Sequence, residues 1–331
     1  MAKQRTFAGL AWSEKGKVTR RERFLAEMNE VIPWARLLKL IEPYYPKAGR
    51  GRQPLGLDKM LRIYFLQQWF DLSDPGAEDA IYDSESMRRF VGVELGEEVV
   101  PDETTILRFR HLLEKHELTK KIFEEIGSLL EEKGLLLKRG TIVDATILHA
   151  PSSTKNASGK RDPEMRQTRK GNTWYFGMKV HLGTDKRGTV HSLTTTHAAE
   201  ADIRKLPELI HGGERELYGD RAYWCESDRE LFEEVGIKYR VNRRGTSKKP
   251  LSEYWKGINR SRSRVRARCE HPLLVVKRLW GFNKVRYQGL AKNMARAYTA
   301  FALANLYLLR KRLLPPGAKC GPTPIQWTGD S

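Results

Sequence analysis

Apolar residues recur at intervals of three and four along the first third of the chain. The stretches RFLAEMNEVIPWARLLKLI and GLDKMLRIYFLQQWF follow this spacing, which is typical of amphipathic helices. A third stretch, PDETTILRFRHLLEKH, opens with Pro101, and Asp102 is placed to cap its first turn. We therefore predict an all-helical region over residues 23–138, preceded by a polar, basic arm over residues 1–22.

The pattern changes to β-type runs at Gly140. GTIVDATILHA, NTWYFGMKVHLGTD and GTVHSLTTTHA predict three strands, and ELYGDRAYW and IKYRVNRR predict two more. Short helical patterns separate the later strands, in ADIRKLPELI and in SDRELFEEVG with a cap at Ser227, and a long helix follows. This order of elements predicts a mixed α/β sheet. An RNase H-like fold has the same order, as many other folds do.

Positive charge dominates the composition and is clustered. The chain has 331 residues, with 60 Lys and Arg against 41 Asp and Glu, a net charge of +19 and a pI near 9.8. Such an excess favours a polyanionic partner, first of all nucleic acid, although a solubility surface is the alternative. Two basic insertions interrupt the sheet, at 151–172, expected to be flexible, and at 242–265. In the second, the candidate phosphate contacts are Arg243, Arg244, Arg262 and Arg264.

The cysteines and the apolar stretches argue against a disulfide-rich, zinc-ribbon or membrane protein. Cys225, Cys269 and Cys320 form no CxxC pair, so they favour a reducing compartment rather than a disulfide framework or zinc ribbon. The N-terminus lacks the apolar core of a signal peptide. The longest apolar stretch, AYTAFALANLYLL, is too short for a bilayer and contains Asn305, so we expect a buried C-terminal helix and no membrane partner.

Three carboxylates lie in apolar or basic sequence surroundings, where an unpaired acid is energetically costly. Asp144 lies within the apolar strand IVDATI, Asp220 ends the strand of ELYGDRAYW, and Glu270 follows the second basic insertion. A pair of Mg²⁺ ions is the simplest reason for them, because Mg²⁺ prefers carboxylate oxygen, phosphate and water. The alternative for each acid is an ordinary salt bridge or helix cap.

Several cations are placed to assist a phosphodiester reaction. Arg266 and Lys277 lie four residues before and seven after Glu270, so one helix would present all three on one face, unless Pro272 kinks it. Lys179 on the second strand is a further candidate DNA contact, with a solvated strand lysine as the alternative. Arg108 and Arg110 lie early in a helix that is either a recognition helix or an ordinary surface helix.

Long segments of the chain resemble bacterial insertion-sequence transposases of the DDE class, specifically the insertion sequence five family. The similar segments include LSDPGAEDAIYDSESMRRF, GTIVDATILHAPSSTKN, RDPEMRQTRKGNTWYFGMKVH and VRARCEHPLLVVKRLWGFNKVRYQGLAKN. The resemblance implies a helix-turn-helix-like DNA-binding domain over 23–138 and an RNase H-like catalytic domain over 139–285. A C-terminal helix and tail would follow over 286–331.

The resemblance also implies roles for individual residues. Asp144 matches the first catalytic Asp, and Asp220 matches the second, although GDRAY departs from the commoner ADAGY-like wording. Glu270 matches the catalytic Glu, and Arg266 and Lys277 complete the family's Arg, Glu and Lys signature. Related transposases often carry a Tyr where this chain has Ser263.

By resemblance, the protein binds the terminal inverted repeats of its element and cuts and joins DNA with two Mg²⁺ ions, for which Mn²⁺ is the expected substitute. The expected state is a homo-oligomer, at least a dimer, with the helix from Ala291 to Arg312 as a candidate contact surface. The expected location is the bacterial cytoplasm, associated with the nucleoid. The alternatives are a DNA-binding regulator or domesticated transposase without transposition activity, and another RNase H-like metal-dependent nuclease.

Overall fold

The first part of the chain is helical, as its apolar spacing predicts. The structure, a computed structural model, describes residues 15–49, 53–155, 159–246 and 248–315, so most of the predicted basic arm and the C-terminal tail with Cys320 lie outside the described residues. The helices are α1 (Arg20–Val31), α2 (Trp34–Ile41), α3 (Leu57–Phe70), α4 (Asp74–Asp83), α5 (Glu85–Val91), α6 (Glu103–Lys115) and α7 (Leu118–Glu132). The predicted cap is confirmed, because the Asp102 carboxylate accepts the Thr105 N–H at 2.7 Å.

A mixed six-stranded sheet follows. Its strands are β1 (Thr141–His149), β2 (Arg166–Lys170), β3 (Thr173–Thr184), β4 (Val190–His197), β5 (Glu216–Gly219) and β6 (Lys238–Val241). Strand β3 pairs antiparallel with β1, β2 and β4, whereas β5 runs parallel to both β1 and β6. The remaining helices are α8 (Leu206–Leu209), α9 (Glu226–Glu234), α10 (Glu253–Arg266), α11 (Glu270–Leu274) and α12 (Leu290–Leu313).

Two local expectations are wrong, and one further segment forms a helix that the sequence analysis did not predict. Part of the insertion at 151–172, expected to be a flexible segment, forms β2, whose polar residues become a strand by pairing with β3. Helix α10 occupies most of the second basic insertion at 242–265. Helix α9 begins two residues early, with Cys225 rather than Ser227 at its N-cap and no side-chain cap.

One hydrophobic core joins the helical region to the sheet. The largest buried cluster combines side chains of α1 to α7 with Leu148, Met178, Val180 and Leu182 of the sheet and with most of α12. In the described residues, the proposed domain borders at 138/139 and 285/286 therefore do not separate independent cores.

Helix α12 is internal rather than a free contact surface. Ala300, Leu303 and Leu306 are at most 2% exposed, which corrects the expectation that this helix offers its face to a second copy. The hydrogen bonds of Asn305 explain why an amide lies in this apolar run. Its side chain accepts the Val190 N–H at 2.8 Å and donates to the Val190 carbonyl at 2.7 Å. The amide thus satisfies the first residue of β4 as a neighbouring strand would.

Gly219, the last residue of β5, is where β5 approaches β1 most tightly. A Cβ at this position would lie 3.1 Å from Val143 Cγ2 and 3.2 Å from Tyr223 Cβ. Both neighbours are buried, so they cannot move aside without disturbing the sheet.

We expect Gly219→Ala to lower the free energy of unfolding by about 1–3 kcal/mol, because the added methyl overpacks the contact between β5 and β1. Urea unfolding followed by circular dichroism measures the change. The matched control is Gly127→Ala in α7, where a Cβ meets no atom within 4 Å. That substitution should raise the free energy of unfolding by about 0.5–1 kcal/mol. Equal effects at the two positions would contradict the tight contact.

Candidate active site

Two acids lie level with each other where neighbouring parallel strands separate. Strands β1 and β5 pair over only two steps, Thr141 with Leu217 and Ile142 with Tyr218. Asp144 and Asp220 each follow the second step by two residues. Parallel strands are spaced about 4.8 Å apart, so this register brings the two carboxylates to the same end of the sheet. Beyond the second step no further backbone pairing joins the two strands, and we refer to this end of the sheet, with Asp144 and Asp220, as the cleft.

Asp144 is mostly buried and held by three donors. One carboxylate oxygen accepts from Arg266 Nη1 at 3.0 Å and from Cys269 Sγ at 3.1 Å, and the other accepts the Ala145 N–H at 2.8 Å. The Asp144 side chain is 16% exposed. Burial raises the pKa of this carboxyl group, and the charge of Asp220 raises it further, while the Cys269, Arg266 and Ala145 contacts oppose the rise.

Asp220 lies at the open end of the cleft. Its carboxylate accepts the Ala222 N–H at 2.8 Å and so caps the short 3₁₀ turn Arg221–Tyr223. The turn buries Tyr223, whose hydroxyl has no hydrogen-bond partner among the described residues. Burial raises the pKa of Tyr223, and the charges of Asp202, Asp144 and Asp220 add to the rise. The sequence interpretation missed Tyr223, although its position three residues after the second Asp was a usable signal.

Glu270 reaches Asp144 only through a shared arginine. Its side chain is 60% exposed, and its carboxylate lies 3.5 Å from Arg266 Nη2, while Arg266 Nη1 contacts Asp144. The expected single helix is divided here into a 3₁₀ turn over Ala267–Cys269, helix α11 and a π-helical turn over Val275–Leu279. The expected proximity of Arg266 and Glu270 is present as an i,i+4 ion pair, with the guanidinium between two acids, whereas Lys277 makes a separate contact with β1.

Lys277 lies beside the same strand, two to three residues beyond Asp144. Its ammonium donates to Thr146 Oγ1 and to the Ile147 carbonyl, both at 3.0 Å. Burial lowers the pKa of Lys277, and the nearby charge of Lys170 lowers it further. A half-buried cation is thus fixed along β1, next to the acids.

The carboxylate oxygens at the cleft suit a divalent cation, although the described residues form no complete metal site. Within the described residues, no group of three or more His, Cys, Asp or Glu side chains is arranged to hold a metal ion. Asp144 and Asp220 nevertheless supply hard oxygen ligands at one cleft, and Mg²⁺ commonly needs only one or two carboxylates besides phosphate and water.

Comparison with protein families decides the class. Residues 136–306, more than half of the chain, match the family model described as the transposase DDE domain. Residues 13–112 match a second model, described as a transposase domain (DUF772). The chain belongs to the DDE transposases. A DDE transposase acts on DNA, and domains of this class generally use divalent metal ions, which agrees with the oxygen ligands of the cleft.

The transposase has no helix, within the part of the chain that the structure describes, that is long and apolar enough to cross a bilayer.

Two of the cations that were predicted to contact DNA are already paired with acids of the transposase itself. Arg110 is 5% exposed, binds Asp74 at 2.9 Å and Glu114 at 3.0 Å, and lies over the Tyr287 ring. Lys179 binds Asp202 at 2.9 Å on the sheet face opposite to Asp144. Both placements argue against a role in DNA contact, because a phosphate would have to displace a buried ion pair.

The other predicted contacts lie on or near the surface of the transposase. Arg108, Arg244 and Arg264 are exposed. Arg262 is half-buried and donates to the Val241 carbonyl at 2.6 Å, which attaches α10 to β6. The Arg243 guanidinium lies 4.7 Å from the centre of the Trp255 ring, so a basic surface with an aromatic partner faces outward from α10.

We expect Asp144→Asn to destabilise the metal-free transposase less than Asp185→Asn does. Ionisation of the Asp144 carboxyl group costs the folded chain stability at neutral pH, because burial and the charge of Asp220 raise its pKa, and removal of that cost offsets the donor that the amide leaves unpaired. Differential scanning calorimetry in the presence of a chelator compares the two variants.

Asp185→Asn is the matched control, because burial also raises the pKa of Asp185. Its carboxylate, however, accepts the N–H groups of Leu137, Arg187 and Thr189. The amide would leave one donor unpaired and lower the free energy of unfolding by about 1–3 kcal/mol. A comparable loss of stability in Asp144→Asn would show that Asp144 serves the fold.

Proposed function

We propose that this chain is the transposase of an insertion sequence five element, which binds the terminal inverted repeats and catalyses metal-dependent strand cleavage and strand transfer. The observation that carries the proposal is the register of β1 and β5, with Asp144 and Asp220 both two residues beyond the last paired step. Two acids on neighbouring strands of a basic protein could hold divalent ions beside a phosphodiester.

The strand directions support an RNase H-like catalytic region. Strands β4, β3 and β1 form an antiparallel set, and β5 and β6 continue the sheet parallel to β1. In the helical region, the N-terminal end of α6 carries the exposed Arg108, and we propose that this end contacts the repeat in a helix-turn-helix-like manner. The exposed cations of α10, with Arg243 and Arg244, would bind the DNA backbone.

Asp144, Asp220 and Glu270 would hold the divalent ions, Mg²⁺ or Mn²⁺. When bound, two such ions activate the attacking oxygen and stabilise the leaving oxygen of a phosphodiester. Arg266 lies between Asp144 and Glu270 and would turn its guanidinium to a phosphate oxygen as the acids take up metal. Lys277, fixed along β1, would hold the neighbouring phosphate.

The two reactions follow from the chemistry of phosphodiesters. In the first, water attacks the phosphorus at the element end, the P–O3′ bond breaks, and a 3′ hydroxyl and a 5′ phosphate result. In the second, that 3′ hydroxyl attacks a target phosphodiester, so one P–O bond forms as another breaks. Joining two ends in one event requires two active sites held together, so we propose at least a dimer. The working location of such an enzyme is the bacterial nucleoid.

Asp220→Ala tests the assignment with labelled duplex taken from the DNA just outside the coding sequence, incubated with Mg²⁺ or Mn²⁺. The variant should bind this DNA like the wild type but cut it more slowly by about 10³-fold, since it loses an acid that the reaction needs. Denaturing gels measure the cleavage, and filter binding measures the affinity. Glu230→Ala, the loss of an exposed acid on α9, is the matched control and should cut normally.

Thermal unfolding supplies a readout that is independent of cleavage. Mg²⁺ should raise the unfolding temperature of the wild type and of Glu230→Ala, and it should leave that of Asp220→Ala unchanged. A wild type that binds end DNA without cutting it would indicate a DNA-binding regulator. Cutting of any branched duplex in preference to end DNA would indicate another nuclease.

A further inference from the structure

A basic hairpin extends from the sheet on the side of Lys277. Strand β2 pairs with the first residues of β3, from Lys170 opposite Thr173 to Arg166 opposite Gly177. Gly171 makes the two-residue turn possible with a φ of +61°, a backbone conformation that favours glycine. We refer to residues 166–176 as the arm. Its base is attached to α12, because Asp162 and Glu164 accept the N–H groups of Gly289 and Leu290.

The arm is an extension of the strand that pairs with β1 at Asp144. Strand β3 is continuous from the arm to Leu182, which is paired with Asp144. Alternate residues of a strand share a face, so Trp174, eight residues from Leu182, lies on the face of Asp144. At about 3.3 Å per residue along the strand, Trp174 is about 26 Å from the level of Asp144. Lys277 contacts β1 between these two points.

The charge of the arm is not balanced by acids. Arg166, Arg169 and Lys170 are exposed, and no carboxylate of the described residues lies within ion-pair distance of any of the three. Arg169 instead donates to the Gly171 carbonyl and to Asn172 Oδ1, which orders the turn. The nearby charge of Lys170 is felt at Lys277, whose pKa it lowers. Lys284, paired with the end of β1 at His149, adds a further exposed cation.

Trp174 is the other unusual feature of the arm. Its indole is 65% exposed, directly opposite Arg169 on the same face. One exposed aromatic residue carries little information by itself. An exposed indole beside a guanidinium, in a hairpin whose opposite strand is the polar RQTRK, matches the combination that contacts nucleic acid through base and backbone together.

We propose that the arm is a DNA-contacting element that holds the duplex on one side of the cleavage site, with Arg166, Arg169 and Lys170 on phosphates and Trp174 against the bases. The proposal rests on the function proposed above and identifies where the DNA runs. Since base pairs rise by about 3.4 Å, a reach of about 26 Å places these contacts about 8 base pairs from the phosphate that is cut.

The experiment uses the full-length protein and the same end duplex. Arg169→Ala/Lys170→Ala should weaken binding about tenfold and should reduce the slope of log affinity against log salt concentration by about 1.8, or 0.9 for each lost phosphate contact. Trp174→Ala should weaken binding about tenfold with the slope unchanged, and Trp174→Phe should restore most of the affinity. Hydroxyl-radical footprints should lose protection about 8 base pairs from the cut and keep it elsewhere.

The matched control is Arg204→Ala/Lys205→Ala, which also removes an adjacent Arg and Lys. These two pair with Glu200 and Glu208 beside the opposite face of the sheet. The control should keep the affinity, slope and footprint of the wild type. Circular dichroism and gel filtration verify that each variant is folded.

The outcomes separate this inference from the proposed function. If the wild type cuts end DNA and the arm variants keep its affinity, salt slope and footprint, the arm proposal is wrong and the transposase assignment stands. Aggregation of Arg169→Ala/Lys170→Ala with unchanged DNA binding would show that these charges only protect the sheet edge, which also overturns the arm. If the wild type neither binds nor cuts end DNA, the proposed function itself fails.

Discussion

The short parallel pairing of β1 with β5 is the constraint on which the cleft depends. Two paired steps are enough to set the register, and a shift by one residue would turn Asp220 to the other face of the sheet. The pairing then ends, because Asp220 turns the chain into a 3₁₀ segment instead of continuing the strand. Gly219 allows the close approach of β5 to Val143 just before that turn. The acids therefore lie together through backbone geometry, without any attraction between them.

Two carboxylates in a half-buried cleft repel each other, so the metal-free fold needs a counter-charge. Arg266 supplies it, and Cys269 adds a hydrogen bond from a buried thiol. Burial raises the pKa of Cys269, so this residue remains a neutral donor. These contacts reduce the rise in the pKa of Asp144 without cancelling it. In the proposed function, the remaining electrostatic cost would favour uptake of a divalent cation, since a cation offsets the charge that the protein leaves unbalanced.

The shared core gives the sheet a rigid support. Asn305 satisfies the backbone of β4 from within α12. Arg296 of α12 and Arg286, just before that helix, both contact Asp71 at the end of α3, at 2.5 and 2.6 Å. The same helix therefore connects the helical region to the sheet. DNA held by α6 and DNA held at the cleft would be in fixed relation to each other, which favours cutting at a set distance from the recognised sequence.

The sequence predicts elements best where the periodicity is strong, and it singles out a residue most clearly where that residue type is costly in its local surroundings. An Asp within IVDATI has few explanations, so Asp144 could be selected from its neighbours alone, and the helices and most strands followed from strong periodicity. Basic residues are different, because the chain has 60 of them and each can find a distant acid. Arg110 pairs with Asp74, 36 positions earlier, and Lys179 with Asp202, 23 positions later.

No local pattern could reveal those distant partners, although Glu114, one helical turn after Arg110, gave a partial signal. Strand β2 was missed for the same reason, since its partner strand rather than its own composition makes it a strand. Charge that is common in a chain therefore identifies a surface only after the structure has shown which cations are already paired. Several cations of the exposed arm and of α10 are not paired with acids of the described residues, whereas Arg110 and Lys179 are both paired.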